Sequence, residues 1–338
     1  MPARRSCLNL ERPELQASSR GPQESERTNL TKVDVVGVGL NATDTLIPLP
    51  EYPGRGSKVA FHAAHVLPGG QVASAIAACQ QWGLRTRYVG KVGDDHAGKL
   101  HGDEFVRLGV EAHLLTAPGC PSQQAFIIVD DTGERTVLWK RDSRLTLRPE
   151  ELQREWIVQA RALHVDGHDT EAAAVAAGWA RAAGVPVVAD LDELYTGVEA
   201  LLGNLDYFVA SRDIPGRITG ERDLRKSLPA VHKRYGFRLT AATLGEDGVL
   251  AWDGAKFHYA AAYSVKVVDT IGAGDMFHAG FIYGLLQGWS LQRQLEFGCA
   301  AAALNCEGLG ARGGIQPVPC IEQLMATGSR HPSVYDVA

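Results

Sequence analysis

Seven residues in the C-terminal third, Asp269-Thr270-Ile271-Gly272-Ala273-Gly274-Asp275, combine bare backbone with two carboxylates and run straight into the apolar stretch 276–286. A helix starting near Gly272 turns free N–H groups and the positive end of its dipole outward, and Gly272, Ala273 and Gly274 leave them uncovered. The segment therefore predicts an anion hole. Asp275 falls in the first turn of that helix. Beside a phosphoryl group in transfer, its carboxylate is placed to take a proton from an attacking hydroxyl. The plainer role is partner to the helix dipole, which leaves Gly-Ala-Gly unexplained.

Two further glycine clusters have the same setting. Pro68-Gly69-Gly70-Gln71 precedes Val72, Ala75, Ile76 and Cys79, spaced as one helix face and ended by Gly83. Gly70 and Gln71 can let a ligand approach the backbone, or can simply turn a strand into a helix. Thr243-Leu244-Gly245-Glu246-Asp247-Gly248 follows an apolar strand at its carboxyl end, where open α/β sheets bind nucleotides; a hairpin turn is the alternative, as at Asp253-Gly254. In 89–98, Asp94 or Asp95 reads as a helix cap. Gly37-Val-Gly39-Leu-Asn-Ala42 has the dinucleotide-binding spacing, but Pro48, Pro50 and Pro53 follow where that motif needs a helix, so a nicotinamide dehydrogenase is excluded. His164, Asp166 and His168 lie across a strand end without a third ligand nearby. No metal site is assigned to them, and Asp166 reads as a polar group at a cleft-facing strand end.

The elements that must position these groups follow from periodicity. Strands are predicted at 33–39, 86–92, 161–165, 185–189, 206–210 and 238–244, and helices at 71–82, 97–108, 150–160, 170–183 and 222–235. This alternation implies an α/β fold with a central, mostly parallel sheet covered on both faces. Residues 44–66, with three prolines, and 123–140, a hairpin around Asp131-Thr132-Gly133, break the alternation. They predict a small antiparallel β-sheet lid, whose apolar face could pair two copies into a homodimer. Residues 1–31 are polar and aperiodic and read as a flexible extension.

Composition bounds the partners. The 338 residues are 45% hydrophobic and 22% charged with a net charge of −5, which fits a globular chain and gives no footprint for nucleic acid or anionic membrane. No apolar run reaches a membrane span, and Arg4-Arg5 is not followed by a signal-type core. Cys7, Cys79, Cys120, Cys299, Cys306 and Cys320 are scattered, as reduced thiols of a cytoplasmic protein are.

Taken in order, Gly69-Gly70, Thr243-x-Gly245-x-x-Gly248 and Asp269-Thr-x-Gly-Ala-Gly-Asp275 resemble the ribokinase, or PfkB, family of carbohydrate kinases over about 32–325. The resemblance implies a ribokinase-like core with a β-sheet lid, ATP and Mg²⁺, and phosphorylation of a sugar or nucleoside hydroxyl. It makes Asp275 the catalytic base and Gly272, Ala273 and Gly274 the anion hole. Asp44, at the end of the first strand, with Gly69, Gly70 and Gln71, would hold sugar hydroxyls, while Thr243, Gly245 and Gly248 would border ATP. Some relatives hold K⁺ near Asp269 and the loop 306–313. Leu163-His-Val-Asp-Gly167, Val209-Ala-Ser-Arg-Asp213 and Glu296-Phe-Gly-Cys299 are most similar to ketohexokinase- and fructokinase-like members, favouring a ketose or furanose such as fructose or ribose. Two departures stand out. Ser74 replaces a common Asn, which bears on the substrate, and Ser211-Arg-Asp-Ile214 replaces N-x-x-E, which bears on Mg²⁺ water coordination. A nucleoside kinase, with Phe61, Phe126 or Trp139 stacking on a base, and a catalytically silent binding protein remain the alternatives.

Overall fold

The computed structural model describes residues 32–336 except Thr132; the N-terminal extension lies outside the described residues. In chain order the strands are β1 (Val33–Val38), β2 (Ala42–Pro48), β3 (His65–Gly69), β4 (Thr86–Gly93), β5 (Glu111–Ala117), β6 (Gln124–Val129), β7 (Arg135–Lys140), β8 (Ala160–Asp166), β9 (Val187–Leu191), β10 (Tyr207–Ser211), β11 (Leu239–Thr243), β12 (Val249–Trp252) and β13 (Phe257–Ala260). The helices are α1 (Gln71–Gln81), α2 (His96–Leu108), α3 (Arg154–Val158), α4 (Thr170–Ala182), α5 (Val198–Leu202), α6 (Ile214–Thr219), α7 (Leu224–Tyr235), α8 (Ala273–Leu286), α9 (Leu291–Asn305) and α10 (Val318–Thr327).

Nine strands form one sheet in the order β13-β12-β11-β10-β9-β8-β1-β4-β5, parallel except where the β11–β12–β13 turns add two antiparallel strands. Buried valines and alanines of the central strands pack under α1, α8 and α9 around Val35, Ile76, Phe281 and Phe297. From β1 the chain winds one way through β4 and β5, then returns to the other side at β8. The carboxyl ends of β1 and β8 therefore flank the crevice where doubly wound sheets bind ligands. The Gly37-x-Gly39 pair serves packing here: an added Cβ would fall 2.5 Å from Ile76 Cγ1 at Gly37 and 2.7 Å from Val72 Cγ2 at Gly39. The glycines let α1 lie close on β1, and β2 follows instead of a helix.

A second sheet, β3-β2-β6-β7, stands apart from the first, as the prolines and the hairpin signal require. It is not wholly antiparallel. β2 and β6 run parallel, from Thr43 beside Gln124 to Pro48 beside Val129. The reason is the connection, since the chain crosses α1, β4, α2 and β5 before β6 and so re-enters in the same direction. Two other expectations need correction. The helix predicted at 150–160 is a 3₁₀ turn at Pro149–Glu151 and the five-residue α3. Asp44 does not end the first strand; it is the third residue of β2.

Candidate active site

The cleft between the two sheets has a volume of about 310 Å³. One wall is the inner face of the small sheet, with Ala42, Asp44, Ala125, Ile127, Arg135, Val137 and Trp139; the floor carries Asp190, Asp192, Asp275 and His278. Asp275 is the third residue of α8. The helix is capped by Gly272 at φ 76°, and a Cβ there would lie 2.3 Å from Ala311 O, so only glycine fits. Gly274 differs: its Cβ would meet no atom within 4 Å, so neither packing nor backbone conformation requires glycine there. The space stays open above N–H groups that have no intrahelical partner.

Two buried side chains brace this cradle. Asp269 Oδ1 accepts the Ile271 N–H (2.9 Å) and Oδ2 the Gly310 N–H (2.8 Å). Asn305 Nδ2 donates to Ile271 O (3.1 Å) and Ala311 O (3.3 Å), while its Oδ1 accepts from Gly314 N (3.2 Å). The 308–314 loop and the anion hole are thereby fastened together. From the other side, Arg135 Nη1 donates to Thr270 Oγ1 (2.7 Å), and that hydroxyl donates to Gly133 O (3.2 Å), so the β6–β7 hairpin touches the same loop.

The electrostatics are set by crowding. Burial raises the Asp275 carboxyl well above its ordinary range, and the carboxylates of Asp190, Asp44 and Asp192 push it further, against the opposing charge of Arg312. Asp190 is raised by burial and by Asp192 and Asp166. Asp44 is pushed up to about 7, chiefly by burial, with Arg312 opposing and Asp269 adding. His278, one turn beyond Asp275, lies 3.4 Å from Asp190 Oδ2, with Nδ1 2.8 Å from Gly274 O; burial lowers it to about 4. His168 is likewise lowered to about 4 by burial, and it meets Tyr195 OH at 3.2 Å.

The cleft brings together Asp44, Gly70, Gln71, Thr243, Gly272, Gly274 and Asp275. Gly70 has φ 91° and a Cβ on it would meet Asn41 Cα at 2.4 Å, so its glycine serves the strand-to-helix turn. Gly69 makes room for Asp44, whose Oδ2 would lie 1.9 Å from a Cβ there. Asp166 ends β8 fully buried and does not face the cleft as the sequence suggested; its oxygens accept from the N–H groups of Leu40 (2.7 Å) and His168 (3.0 Å). Ser74 is also buried and accepts from Arg312. Gly245 and Gly248 build the turn between antiparallel β11 and β12. Asp190, Asp192, Tyr195, His278 and Arg135 were not singled out from sequence. The signal for the first two was available, since Asp190-Leu-Asp192 closes a parallel strand at the ligand-binding edge. Asp95, not Asp94, caps α2, accepting from Gly98 N at 2.8 Å.

A glycine cradle at a helix N-terminus, a carboxylate beside it and a second sheet across the cleft define an α/β phosphotransferase. The pfkB family carbohydrate kinase pattern matches residues 32–317, and the chain belongs to that family. It is a sugar kinase with a ribokinase-like fold. Among relatives, it is 30% identical over 251 residues to fructoselysine 6-kinase of Escherichia coli, covering 72% of this chain and 91% of that one. It is 29% identical over 262 residues to 5-dehydro-2-deoxygluconokinase of Geobacillus thermodenitrificans, covering 70% and 77%. Among solved structures, ribokinase from Arabidopsis thaliana complexed with ribose and ATP superimposes with a TM-score of 0.75 at 23% identity over 88% of this chain and all of that one, a likeness of fold. No described helix is long and apolar enough to cross a membrane, and the described cysteines are free, Cys320 alone of them exposed.

Proposed function

We propose that this kinase transfers the γ-phosphoryl group of ATP to a hydroxyl of a small ketose or furanose, with Asp275 as general base. The observation that carries the reading is the open space at Gly274 beside the Asp275 carboxylate, at a helix N-terminus that packing leaves uncovered. The sugar hydroxyl donates its proton to Asp275 as its oxygen bonds to the γ-phosphorus. The bond to the β-phosphate oxygen breaks, and ADP leaves with that electron pair. N–H groups at the start of α8 meet the charge on the transferring oxygens. Burial and the neighbouring carboxylates raise the Asp275 carboxyl well above its ordinary range, which strengthens its affinity for the hydroxyl proton.

Asp44, Gly70 and Gln71 are the sugar-facing groups in this reading, with Gly69 shaping the room for Asp44. ATP lies beside Thr243, the turn of Gly245 and Gly248, and the 308–314 loop. Mg²⁺ would be held with the phosphates of ATP and would supply charge neutralisation there. Asp190 and Asp192, hard oxygen donors on the cleft floor, fit an ion that keeps most of its waters. K⁺ near Asp269 is tested by exchanging it for Na⁺ in the assay. Val66, Thr45, Phe126 and Leu138 align across the outer face of the small sheet, with Val66, Phe126 and Leu138 at least half exposed. A second copy of the chain is the partner we assign to that face. Trp139, on the inner face, can lie against a sugar or a base, which keeps nucleosides in the test.

One coupled ADP-release assay over fructose, ribose, the substrates for which the relatives are named, and nucleosides tests the reading. ADP release with a ketose or furanose supports it. Turnover with nucleosides alone, or with no acceptor, overturns it.

A further inference from the structure

Arg312 has no part in the chemistry above, yet it sits beside the proposed sugar site. Its Nε donates to Ser74 Oγ (3.3 Å) and its Nη2 to Gly69 O (3.1 Å), while Nη1 is buried without a hydrogen-bond partner. The guanidinium carbon lies 5.7 Å from the centre of the Phe105 ring. On the other side of the same glycine lies Asp44, whose Oδ2 occupies the space a Gly69 side chain would fill. Among the described residues, neither Arg312 nor Asp44 forms a direct ion pair. A cation held away from water without a counter-ion is costly, so its charge acts on whatever anions face it. Those are Asp44 on β2, Asp275 on α8 and Glu104 on α2; the phenol of Tyr88 on β4, kept neutral by burial, also faces it, and His101 on α2 is held neutral by burial and partly by the same charge.

We propose that Arg312 is a positioning residue for the sugar site: anchored by Ser74 and Gly69, its charge keeps the Asp44 carboxylate ionised and able to accept two sugar hydroxyls. This rests on the reading that Asp44 faces the sugar. Burial drives Asp44 up to about 7 even with the guanidinium opposing it, so losing the cation sends it higher. Arginine suits the role because it stays protonated where a buried lysine can lose its proton.

The test needs no substrate. The apo protein, labelled with carboxyl-¹³C aspartate, is titrated by NMR, and the Asp44 resonance is assigned by its loss in Asp44→Asn. Arg312→Gln is expected to raise the Asp44 midpoint by about one pH unit or more, the effect of removing a nearby opposite charge. Arg312→Lys should give an upward shift smaller than that of Arg312→Gln, because a buried ammonium keeps its charge only in part. If Arg312→Gln does not fold, Ser74→Ala loosens the anchor while keeping the charge and should give a smaller upward shift. An unchanged midpoint in a folded Arg312→Gln or Ser74→Ala protein, with only a lower melting temperature, makes Arg312 a packing residue and overturns the proposal. The KM for D-fructose against pH is the second readout. Its rise toward low pH should move upward in Arg312→Gln and be absent in Asp44→Asn. A shifted midpoint in a protein that phosphorylates no acceptor supports the charge coupling and removes the kinase reading instead.

Discussion

Replacing Asp44 with Asn should make the apo protein more stable at alkaline pH while weakening its hold on sugar. Asp44 is 6% exposed and makes no hydrogen bond among the described residues, so ionising it in the fold is opposed by burial. Its carboxyl titrates at about 7 in the fold against 3.8 for the ordinary group. The folded value is the higher one, so the fold binds the proton more tightly than the unfolded chain does. Stability is full below the unfolded value, falls as pH rises, and stops falling above about pH 7. A shift of about three units corresponds to about 4 kcal/mol at pH 8. Asn stays neutral, so Asp44→Asn should recover about 2–4 kcal/mol at pH 8, roughly 5–10 °C in melting temperature, and almost nothing at pH 4. In exchange it loses charge-assisted bonds to hydroxyls, raising the sugar KM by about 10–100-fold or more. Calorimetry of the apo protein at both pH values, with KM measured on the same samples, is the assay. A variant destabilised equally at pH 4 and pH 8 would refute the electrostatic reasoning, and an unchanged KM would refute the placement of the sugar.

Asp275→Asn should lower kcat by about 10²–10⁴-fold without lowering the melting temperature at pH 8, because a crowded carboxylate is removed; a lower melting temperature with near-normal kcat points to a capping role. Gly274→Ala should leave stability within about 1 kcal/mol, since no protein atom is in the way, yet cut turnover sharply by covering the cradle; unaltered kcat counts against the anion hole there. Gly245→Val should raise the apparent KM for ATP more than that for sugar, and equal effects leave the turn purely structural. Leu138→Glu on the outer face of the small sheet should shift sedimentation from dimer to monomer; a native protein that sediments at about 36 kDa removes the pairing.

The sequence made most of this legible where one local rule decides. Gly272, Ala273, Gly274 and Asp275 could be read because helix termini and bare backbone have a fixed electrostatic meaning. The central strands could be read because buried parallel strands are continuous apolar runs. β5 was missed because Glu111–Ala117 is a half-exposed edge without such a run, and the helix expected at 150–160 is cut short after Pro149. The parallel pairing of β2 with β6 depends on some 75 intervening residues, beyond the reach of any local pattern. The crowding of Asp44, Asp190, Asp192 and Asp275 has the same cause: β2, the end of β9 and the start of α8 are far apart in sequence and meet only in the fold.

The bracing of the cradle by Asp269 and Asn305 has a consequence for exchange with solvent. Loop amides ordinarily exchange quickly because they open locally. Here the amides of Ile271, Gly310 and Gly314 each donate to a fully buried side chain, Asp269 in the segment ahead of α8 or Asn305 at the end of α9. These three amides should therefore exchange on the slow timescale of the core strands, a patch of deep protection within segments that have no regular secondary structure, and they should gain little further protection when nucleotide is added.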